Sequence, residues 1–382
     1  MAEHNRSSEL RAVTPPWRVA GKSVRGASHL RAELPNQDAI GWRPESGAGL
    51  PLIVAVSDGH GSSKSFRSDR GARFAVAAVL DECSHLLEGQ PQLSAIKRMA
   101  DSHLPQLLVR RWKNSVITDL DKEPFSTAEL EKLEKAAGKA VREKIEAAAR
   151  ALSENKDDPK NEDAAFYIAY GATMLAAVVT PGFLLYLQLG DGDIVTVDED
   201  GAPGRPMPRD ERLMANETTS LCSRNAHREC RVVFHPLTGQ TPPPALILVS
   251  TDGYANSFRD ESGFLKVGSD ILEMLCEDGL DKVGGEMEAW LDDASKVGSG
   301  DDITLGLLVR EEALATAGRK LAERRASDGG DKKTPDNPAE KTEAKREAKP
   351  EAKPEAKPEA KPEAKIEKKP DPSVDKDEAA KR

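Results

Sequence analysis

Aspartates stand at the ends of five apolar segments of the sequence, where a folded chain presents them at the edge of a sheet. Hard divalent cations take clustered oxygen ligands, and Mg2+ binds through a few carboxylates while keeping several waters. A pocket rich in aspartate, without cysteine or much histidine, favours Mg2+ or Mn2+ over Zn2+ or copper. The five aspartates are Asp38, Asp58, Asp191, Asp252 and Asp301.

Each of these motifs also has a simpler explanation. An aspartate followed by glycine is an ordinary turn, because the side chain bonds to its own backbone and glycine accepts positive φ. Asp58, Asp191 and Asp252 are each followed by glycine. A turn accounts for one such motif, but aspartates at five strand ends favour a shared cation site.

Two neighbouring cations would give this site a defined chemistry. At a separation of about 4 Å they lower the pKa of a bridging water and stabilise both oxygens of an in-line displacement, as phosphate ester hydrolysis requires. His60 is a candidate proton donor to the departing alkoxide, and the alternative is a surface turn residue. An arginine is also expected, because its guanidinium binds two phosphate oxygens at once. The candidates for that arginine are Arg25, Arg31, Arg67, Arg70 and Arg73.

The segments that must position these residues are predicted to be buried strands. Short apolar runs that end at turn residues are typical of such strands. Pro181-Gly182 lies between two of the runs and predicts a hairpin turn. The predicted strands cover residues 39–42, 52–56, 174–179, 183–189, 245–249 and 303–309.

Two segments, residues 68–87 and 127–152, have the spacing of apolar residues that predicts a helix. The second opens with a capping box, in which Ser126 and Glu129 satisfy free backbone N–H groups at the helix start. Helices between strands, followed by more strands, predict an α+β fold of sheets packed against helices rather than a βαβ series.

Taken together, the motifs resemble those of a known family, the metal-dependent protein phosphatases, also called type 2C serine/threonine phosphatases. Six pieces match the family in its own order and span residues 26–309. Each piece is common by itself, but six in order form a specific pattern, and the opening Gly26-Ala27-Ser28-His29 is more similar to a bacterial branch than to the animal enzymes. The matching pieces are Asn36-Gln37-Asp38-Ala39, Asp58-Gly59-His60-Gly61, Gly171-Ala172-Thr173, Gly190-Asp191-Gly192-Asp193, Ser250-Thr251-Asp252-Gly253 and Asp301-Asp302-Ile303-Thr304.

The resemblance implies a β-sandwich of two antiparallel sheets flanked by helices, with the cations at one end of the sandwich. It implies that Asp58 bridges two Mg2+ or Mn2+ ions and that the backbone carbonyl of Gly59 is also a ligand. Asp252 and Asp301 would complete the first ion. Asp38 would act at the second ion, or behind it through water.

The same resemblance implies hydrolysis of phosphoserine and phosphothreonine in proteins. Asp191 corresponds to a ligand of a third, weaker ion found in some members. His60 is then the expected general acid and Arg31 the expected phosphate ligand. The implied partners are phosphoprotein substrates and a cognate serine/threonine kinase.

Several positions depart from the family pattern. Gln37 stands where many relatives have glutamate, which alters that ligand position. Asp302 replaces asparagine, so that Asp301 and Asp302 are interchangeable as candidate ligands. The core aspartates are kept, which argues against an inactive relative. Two alternatives stay open: a catalytically weak scaffold that binds phosphoproteins, and a hydrolase of small phosphate esters. A glycine-rich phosphate loop that would indicate a nucleotide enzyme is not found.

The bulk composition separates an acidic body from a neutral tail. Residues 327–382 carry 15 Lys+Arg and 15 Asp+Glu, so the whole net charge of −10 lies on residues 1–326. An acidic body argues against nucleic acid as a partner. The tail repeats Glu-Ala-Lys-Pro and has little to bury, which predicts a disordered spacer or, alternatively, an arm that docks a partner.

These features predict three regions: a flexible N-terminus at residues 1–15, a catalytic domain at 16–315 and a disordered tail at 327–382. The four cysteines form no Cys-x-x-Cys pair, so reduced thiols and a cytoplasmic location are expected. Since no run approaches about 20 apolar residues, no membrane span is expected.

Overall fold

The computed structural model describes residues 17–327 except residues 90, 157, 159–160, 162 and 209–218. The predicted N-terminal region and the predicted tail beyond residue 327 therefore lie outside the described residues. The described strands are β1 (Trp17–Val24), β2 (Ala39–Arg43), β3 (Leu52–Ser57), β4 (Met174–Val179), β5 (Phe183–Leu189), β6 (Asp193–Val197), β7 (Pro203–Gly204), β8 (Arg231–Pro236), β9 (Leu246–Ser250) and β10 (Ile303–Arg310).

Helices occupy most of the remaining described chain, with a 3-10 helix over Ala165–Tyr170. The α-helices are α1 (Ala27–Arg31), α2 (Ser68–Leu87), α3 (Leu93–Ser102), α4 (Leu104–Lys122), α5 (Thr127–Ala137), α6 (Lys139–Glu154), α7 (Ala226–Glu229), α8 (Asp252–Ala255), α9 (Glu261–Val297) and α10 (Glu311–Ser327). No helix among these described segments is long and apolar enough to cross a membrane.

The strands form two five-stranded sheets in which all neighbours are antiparallel. One sheet has the order β1-β10-β9-β6-β7 and the other has the order β2-β3-β4-β5-β8. The predicted α+β fold, a sandwich of two antiparallel sheets flanked by helices, is thus confirmed.

Strand β3 shows how the sequence builds the layers. Leu52, Val54 and Val56 belong to the apolar cluster between the sheets. Ile53 and Ala55 belong to the cluster between this sheet and the helical layer that includes α2. Because successive side chains of a strand point to opposite faces, a strand covered on both faces must be apolar throughout. A third cluster packs α9 and α10 against the outer face of the other sheet. The layers are therefore helix, sheet, sheet and helix.

The predicted strands are confirmed, since residues 174–179 and 183–189 coincide with β4 and β5, three others differ by one residue at one end, and the strand predicted at 245–249 is shifted by one residue relative to β9. The predicted hairpin at Pro181-Gly182 joins β4 to β5. The predicted helix at 68–87 coincides with α2. The capping box of Ser126 and Glu129 is also present.

The single helix predicted over residues 127–152 is wrong. It is divided into α5 and α6 at Gly138, whose φ of 88° cannot continue a helix. The sequence patterns also missed β1, β6, β7, β8 and the helices α3, α4 and α9. Helix α9 bends at Gly279, which has a φ of 77°.

Candidate metal centre

The strand pairing brings the ends that carry aspartate to one end of the sandwich. In one sheet Ala39, at the start of β2, pairs with Ser57, at the end of β3. In the other sheet Ser250, at the end of β9, pairs with Asp193 at the start of β6 and with Leu305 near the start of β10. The antiparallel order therefore requires these starts and ends to share an edge.

Asp58 leaves β3 in a backbone conformation held by the neighbouring strand. Its N–H donates to the Thr173 hydroxyl (2.9 Å), and its carbonyl accepts from the Thr173 N–H (2.8 Å). Gly59 follows in close contact with other backbone, because a Cβ there would lie 2.6 Å from the Gln37 carbonyl oxygen and 2.7 Å from that of Ser68. Only glycine fits this position, so the turn interpretation and the site interpretation both require it.

Three of the predicted aspartates form a tight group, which we call the carboxylate cluster: Asp58, Asp191 and Asp252. Each offers one carboxylate oxygen, and these oxygens lie within 4.8 Å of one another. Asp191 is in the turn between β5 and β6, after Gly190 with a φ of 115°. Asp252 begins α8, and the close approach of Gly253 to the Asp302 carbonyl positions that helix, because a Cβ at residue 253 would be 2.1 Å from the oxygen.

Burial and repulsion from neighbouring carboxylates raise the pKa values of Asp58 and Asp252 in this cluster. Burial raises the pKa of Asp58 well above its usual value, and the charges of Asp38, Asp252 and then Asp191 raise it further. Burial likewise raises the pKa of Asp252 to about 6, with added repulsion from Asp191 and Asp301. A bound cation would relieve both effects, since it compensates the charge that burial and neighbours disfavour.

Asp38 lies behind the carboxylate cluster and is held across the two sheets. One of its carboxylate oxygens, Oδ2, accepts from the hydroxyls of Thr251 and Thr304, both at 2.8 Å. The other, Oδ1, is buried and has no hydrogen-bond partner among the described residues. Burial raises the pKa of Asp38 well above its usual value, and the two threonine hydroxyls counteract the shift. An orphaned buried carboxylate oxygen beside other carboxylates is a ready acceptor for a cation or its water.

Asp301 and Asp302 are not interchangeable. The Asp302 side chain is only 2% exposed, and it accepts from the backbone N–H groups of Gly26 and Gln37, both at 2.6 Å. The Asp301 side chain is 52% exposed and accepts from the Asp302 N–H (2.9 Å). Asp302 therefore fixes the loop before β2, whereas Asp301 is accessible to an ion and is charge-coupled to Asp58.

His60 lies over the backbone of Gly171. Its backbone N–H donates to the Gly171 carbonyl (3.0 Å), and a Cβ on Gly171 would be 2.5 Å from the imidazole Cδ2. Burial lowers the pKa of His60, and the charge of Asp191 partly offsets the shift. The imidazole is thus an inward-facing group beside the cluster rather than an exposed turn residue.

The candidate arginines fall into two groups. Arg31 ends α1 with an exposed side chain. Arg25 donates to the His29 carbonyl (3.2 Å), and its Nε is buried without a hydrogen-bond partner among the described residues. The remaining three are engaged in ion pairs with acidic side chains of the helical layer: Arg67, Arg70 and Arg73.

Sequence patterns missed His29 as a site residue. Its imidazole lies between two carboxylates, with Nδ1 2.8 Å from Asp302 Oδ2 and Nε2 3.7 Å from Asp301 Oδ1. A lone histidine 272 residues before Asp301 gives no local signal, because only the pairing of β1 with β10 brings the two segments together. The one available signal was its place in the opening Gly26-Ala27-Ser28-His29.

Comparison with known proteins assigns the chain to a family. The profile of the family described as Protein phosphatase 2C matches residues 25–294, which contain the whole carboxylate cluster but not Asp301. No curated protein matches the sequence at a significant level.

Solved structures of bacterial phosphatases are distant matches. The serine/threonine phosphatase PstP/Ppp of Mycobacterium tuberculosis is 16% identical, with a TM-score of 0.43 over 77% of this chain and 99% of that one. Stp1 of Staphylococcus aureus is 12% identical, with a TM-score of 0.42 over 80% of this chain and 99% of that one. The serine/threonine phosphatase of S. agalactiae is 16% identical, with a TM-score of 0.42 over 77% and 99%. Likenesses this distant carry no argument about function.

Proposed function

The chain belongs to the protein phosphatase 2C family, and on that premise we propose that it hydrolyses phosphoserine and phosphothreonine in proteins at a centre of two Mg2+ or Mn2+ ions. The expectation of a protein serine/threonine phosphatase is confirmed at the level of the family. The ions, the substrate and the role of each residue belong to the proposal.

The observation that carries the proposal is the carboxylate cluster. Carboxylate oxygens of three aspartates that are distant in the sequence lie within 4.8 Å of one another, although burial and repulsion raise the pKa values of Asp58 and Asp252. Without a cation such an arrangement is unfavourable, and an ordinary set of turns would not produce it. The donors are all oxygens, which suits Mg2+ or Mn2+, and the orphaned Oδ1 of Asp38 adds an acceptor behind them.

Four groups would hold the two ions. When bound, the ions would lower the pKa of a water molecule and would place positive charge next to the phosphate. Asp58 would contact both ions, with the carbonyl of Gly59 beside it. Asp252 and Asp301 would complete the ligands of one ion, since the charges of both act on Asp58. Asp38 would orient water behind the second ion through its free Oδ1.

His60 would donate a proton to the departing serine or threonine oxygen. Burial lowers its pKa, which makes the protonated imidazole a stronger acid toward the departing oxygen. Asp191, which partly restores that pKa, would also hold a third and weaker ion.

Arg31 would contact the substrate phosphate, because its exposed side chain on α1 is near the loop that Asp302 fixes. Arg25 is a second candidate for that role, since its buried Nε has no partner among the described residues. Arg31→Ala and Arg25→Ala separate the two, because loss of the phosphate contact raises the KM for a phosphopeptide.

The proposed partners are phosphoprotein substrates and the kinase that phosphorylates them, and the proposed location is the cytoplasm. The predicted tail at 327–382 would act as a spacer or as a docking arm.

A direct assay tests the proposal. Purified protein is treated with EDTA and then assayed with Mn2+ or Mg2+ on a phosphothreonine peptide and on small phosphate monoesters. We expect no hydrolysis after EDTA, recovery with either cation, and a preference for the peptide. Absent hydrolysis would favour a scaffold, and cation-independent hydrolysis would contradict the proposed metal centre. A preference for small monoesters would favour a small-ester hydrolase.

A further inference from the structure

His29 has the surroundings of a histidine that binds a metal. It is on α1, its side chain is 12% exposed, and Nδ1 lies 2.8 Å from the Asp302 carboxylate. A histidine that ligates a metal through one ring nitrogen commonly donates the N–H of the other to a carboxylate, which orients the ring.

The position of Asp302 relative to His29 fits one tautomer of the imidazole. Asp302 accepts from the backbone N–H groups of Gly26 and Gln37, so its carboxylate is fixed in place against Nδ1 of His29. In the tautomer that donates from Nδ1 to Asp302, Nε2 carries the lone pair that a metal can accept. That lone pair is on the side of Asp301, whose Oδ1 is 3.7 Å from Nε2.

A second observation points to a ligand in the same place. Gln37 is 6% exposed, and its Oε1 has no hydrogen-bond partner among the described residues. Its Nε2 donates to the Ser68 hydroxyl (2.8 Å), which turns Oε1 to the other side. A Cβ placed on Gly61 would lie 3.8 Å from this Oε1 and 4.0 Å from Nε2 of His29. Both atoms thus border one small space beside the loop that carries Asp58.

We infer that Nε2 of His29 is a ligand of the cation held by Asp301, with Oε1 of Gln37 as a neutral oxygen ligand on the same side. The inference rests on the proposed function in taking Asp301 as a cation ligand. It makes the centre of this chain a mixed nitrogen and oxygen site.

This ligand set changes which metal is preferred. Imidazole suits first-row transition metals, whereas Mg2+ prefers oxygen donors and keeps its waters. The chain is therefore a Mn2+ enzyme that binds Mg2+ less tightly.

The spin echo of bound Mn2+ tests the inference without using activity. A 14N nucleus of a coordinated imidazole modulates this echo, and labelling all histidines with 15N removes the 14N pattern. We expect the 14N modulation in the full-length wild-type protein with Mn2+ and its loss in 15N-histidine protein. Modulation that is absent, or that is unchanged by the label, would overturn the inference.

Variants assign the signal to one histidine. His29→Asn keeps an amide donor for Asp302 but removes the nitrogen ligand, so the modulation should be lost and the Kd for Mn2+ should rise by about tenfold or more. The Kd for Mg2+ should change much less. His60→Asn and the exposed His85→Asn should keep the modulation. A modulation that survives in His29→Asn, or an equal rise in both Kd values, would show that His29 only positions Asp301.

The result is separable from the proposed function. If Mn2+ binds and supports peptide hydrolysis but shows no imidazole modulation, the His29 inference fails alone. If Mn2+ neither binds nor supports hydrolysis, the proposed function fails.

Discussion

At the level of single residues, the candidate centre is a group of carboxylates in which burial and neighbouring charges raise the pKa values of Asp58 and Asp252. Asp58, Asp191 and Asp252 are close enough to share a cation, and behind them Asp38 has a carboxylate oxygen without a hydrogen-bond partner in the described part of the chain. Each of these side chains follows or precedes a strand, which is why the sequence alone predicted them. The separate roles of Asp301 and Asp302 depend on contacts with the distant loop before β2, and no local pattern could reveal them.

The proton-donor role of His60 makes a prediction about leaving groups. A serine or threonine alkoxide needs a proton to depart, whereas p-nitrophenolate does not. His60→Ala should therefore reduce kcat on a phosphothreonine peptide by about 100-fold and on p-nitrophenyl phosphate by less than about 10-fold. The measurement is kcat on both substrates at saturating Mn2+. Equal losses would assign His60 a structural role over Gly171.

At the level of elements, the strands were predictable because they are apolar on both faces, and the division of the helical layer was not. Gly138 ends α5 in a conformation that only the tertiary structure selects, although its residue type was visible in the sequence. Helix α9 escaped prediction because its 37 residues are interrupted at Gly279 and carry several glycines. The short edge strand β7 contains only two residues, too few to give a period.

One buried arginine connects several segments of the helical layer through hydrogen bonds and an ion pair. Arg67 precedes α2, is 3% exposed, and binds both carboxylate oxygens of Glu129 on α5 (2.7 and 3.0 Å). It also donates to the Tyr170 hydroxyl (2.8 Å) and to the Glu123 carbonyl (2.7 Å). Removing one member of such a network leaves a partly buried charge unpaired.

We expect Arg67→Met to lower the free energy of unfolding by about 3 kcal/mol or more. The matched control Arg73→Met removes an exposed i,i+4 ion pair with Asp69 and should cost about 0.5 kcal/mol or less. Urea unfolding of both variants measures the difference. Similar small losses in the two variants would mean that the network adds little to stability.

The same network makes a prediction about pH. Burial raises the pKa of Glu129, but hydrogen bonds from Arg67 and Ser126 outweigh it and lower the pKa to about 2. A lowered carboxyl pKa stabilises the folded state above the unfolded value near 4.5, and this contribution is lost as the pH falls toward 2. The stability difference between wild type and Glu129→Gln should therefore be largest above pH 4.5 and shrink below it. A difference that is constant from pH 7 to pH 3 would contradict this assignment.

At the level of the whole molecule, the two sheets bring several carboxylates together at one end of the sandwich. A bound cation would relieve the repulsion between them. The folded-state pKa values of Asp58 and Asp252 are raised, so the folded protein holds protons more tightly than the unfolded chain does. Stability from these groups is then present below their unfolded value of 3.8 and is lost as the pH rises through about 6 for Asp252. The sequence showed that acidic residues are in excess, but not that several of them cluster at one end of the fold.

Metal-free protein should therefore gain stability when a cluster carboxylate is removed. We expect metal-free Asp58→Asn to have a higher Tm than metal-free wild type at pH 7, and the two to converge near pH 4. Added Mn2+ should raise the Tm of wild type more at pH 7 than at pH 5, because the ligands must lose protons to bind. Calorimetry with and without EDTA measures these shifts. A lower Tm for metal-free Asp58→Asn at pH 7 would indicate that Asp58 has favourable contacts in the absence of metal.

The central claim is that Asp58 joins two cations at the end of the sandwich, and its most direct test combines Mn2+ stoichiometry with turnover of a phosphothreonine peptide. Asp252→Asn and Asp301→Asn should each weaken Mn2+ binding, with turnover partly recovered at high Mn2+. Asp58→Asn should be the most damaging, with fewer tightly bound ions and a loss of turnover beyond about 100-fold. A folded Asp58→Asn protein that binds two Mn2+ ions and turns over the peptide at the wild-type rate would contradict the account.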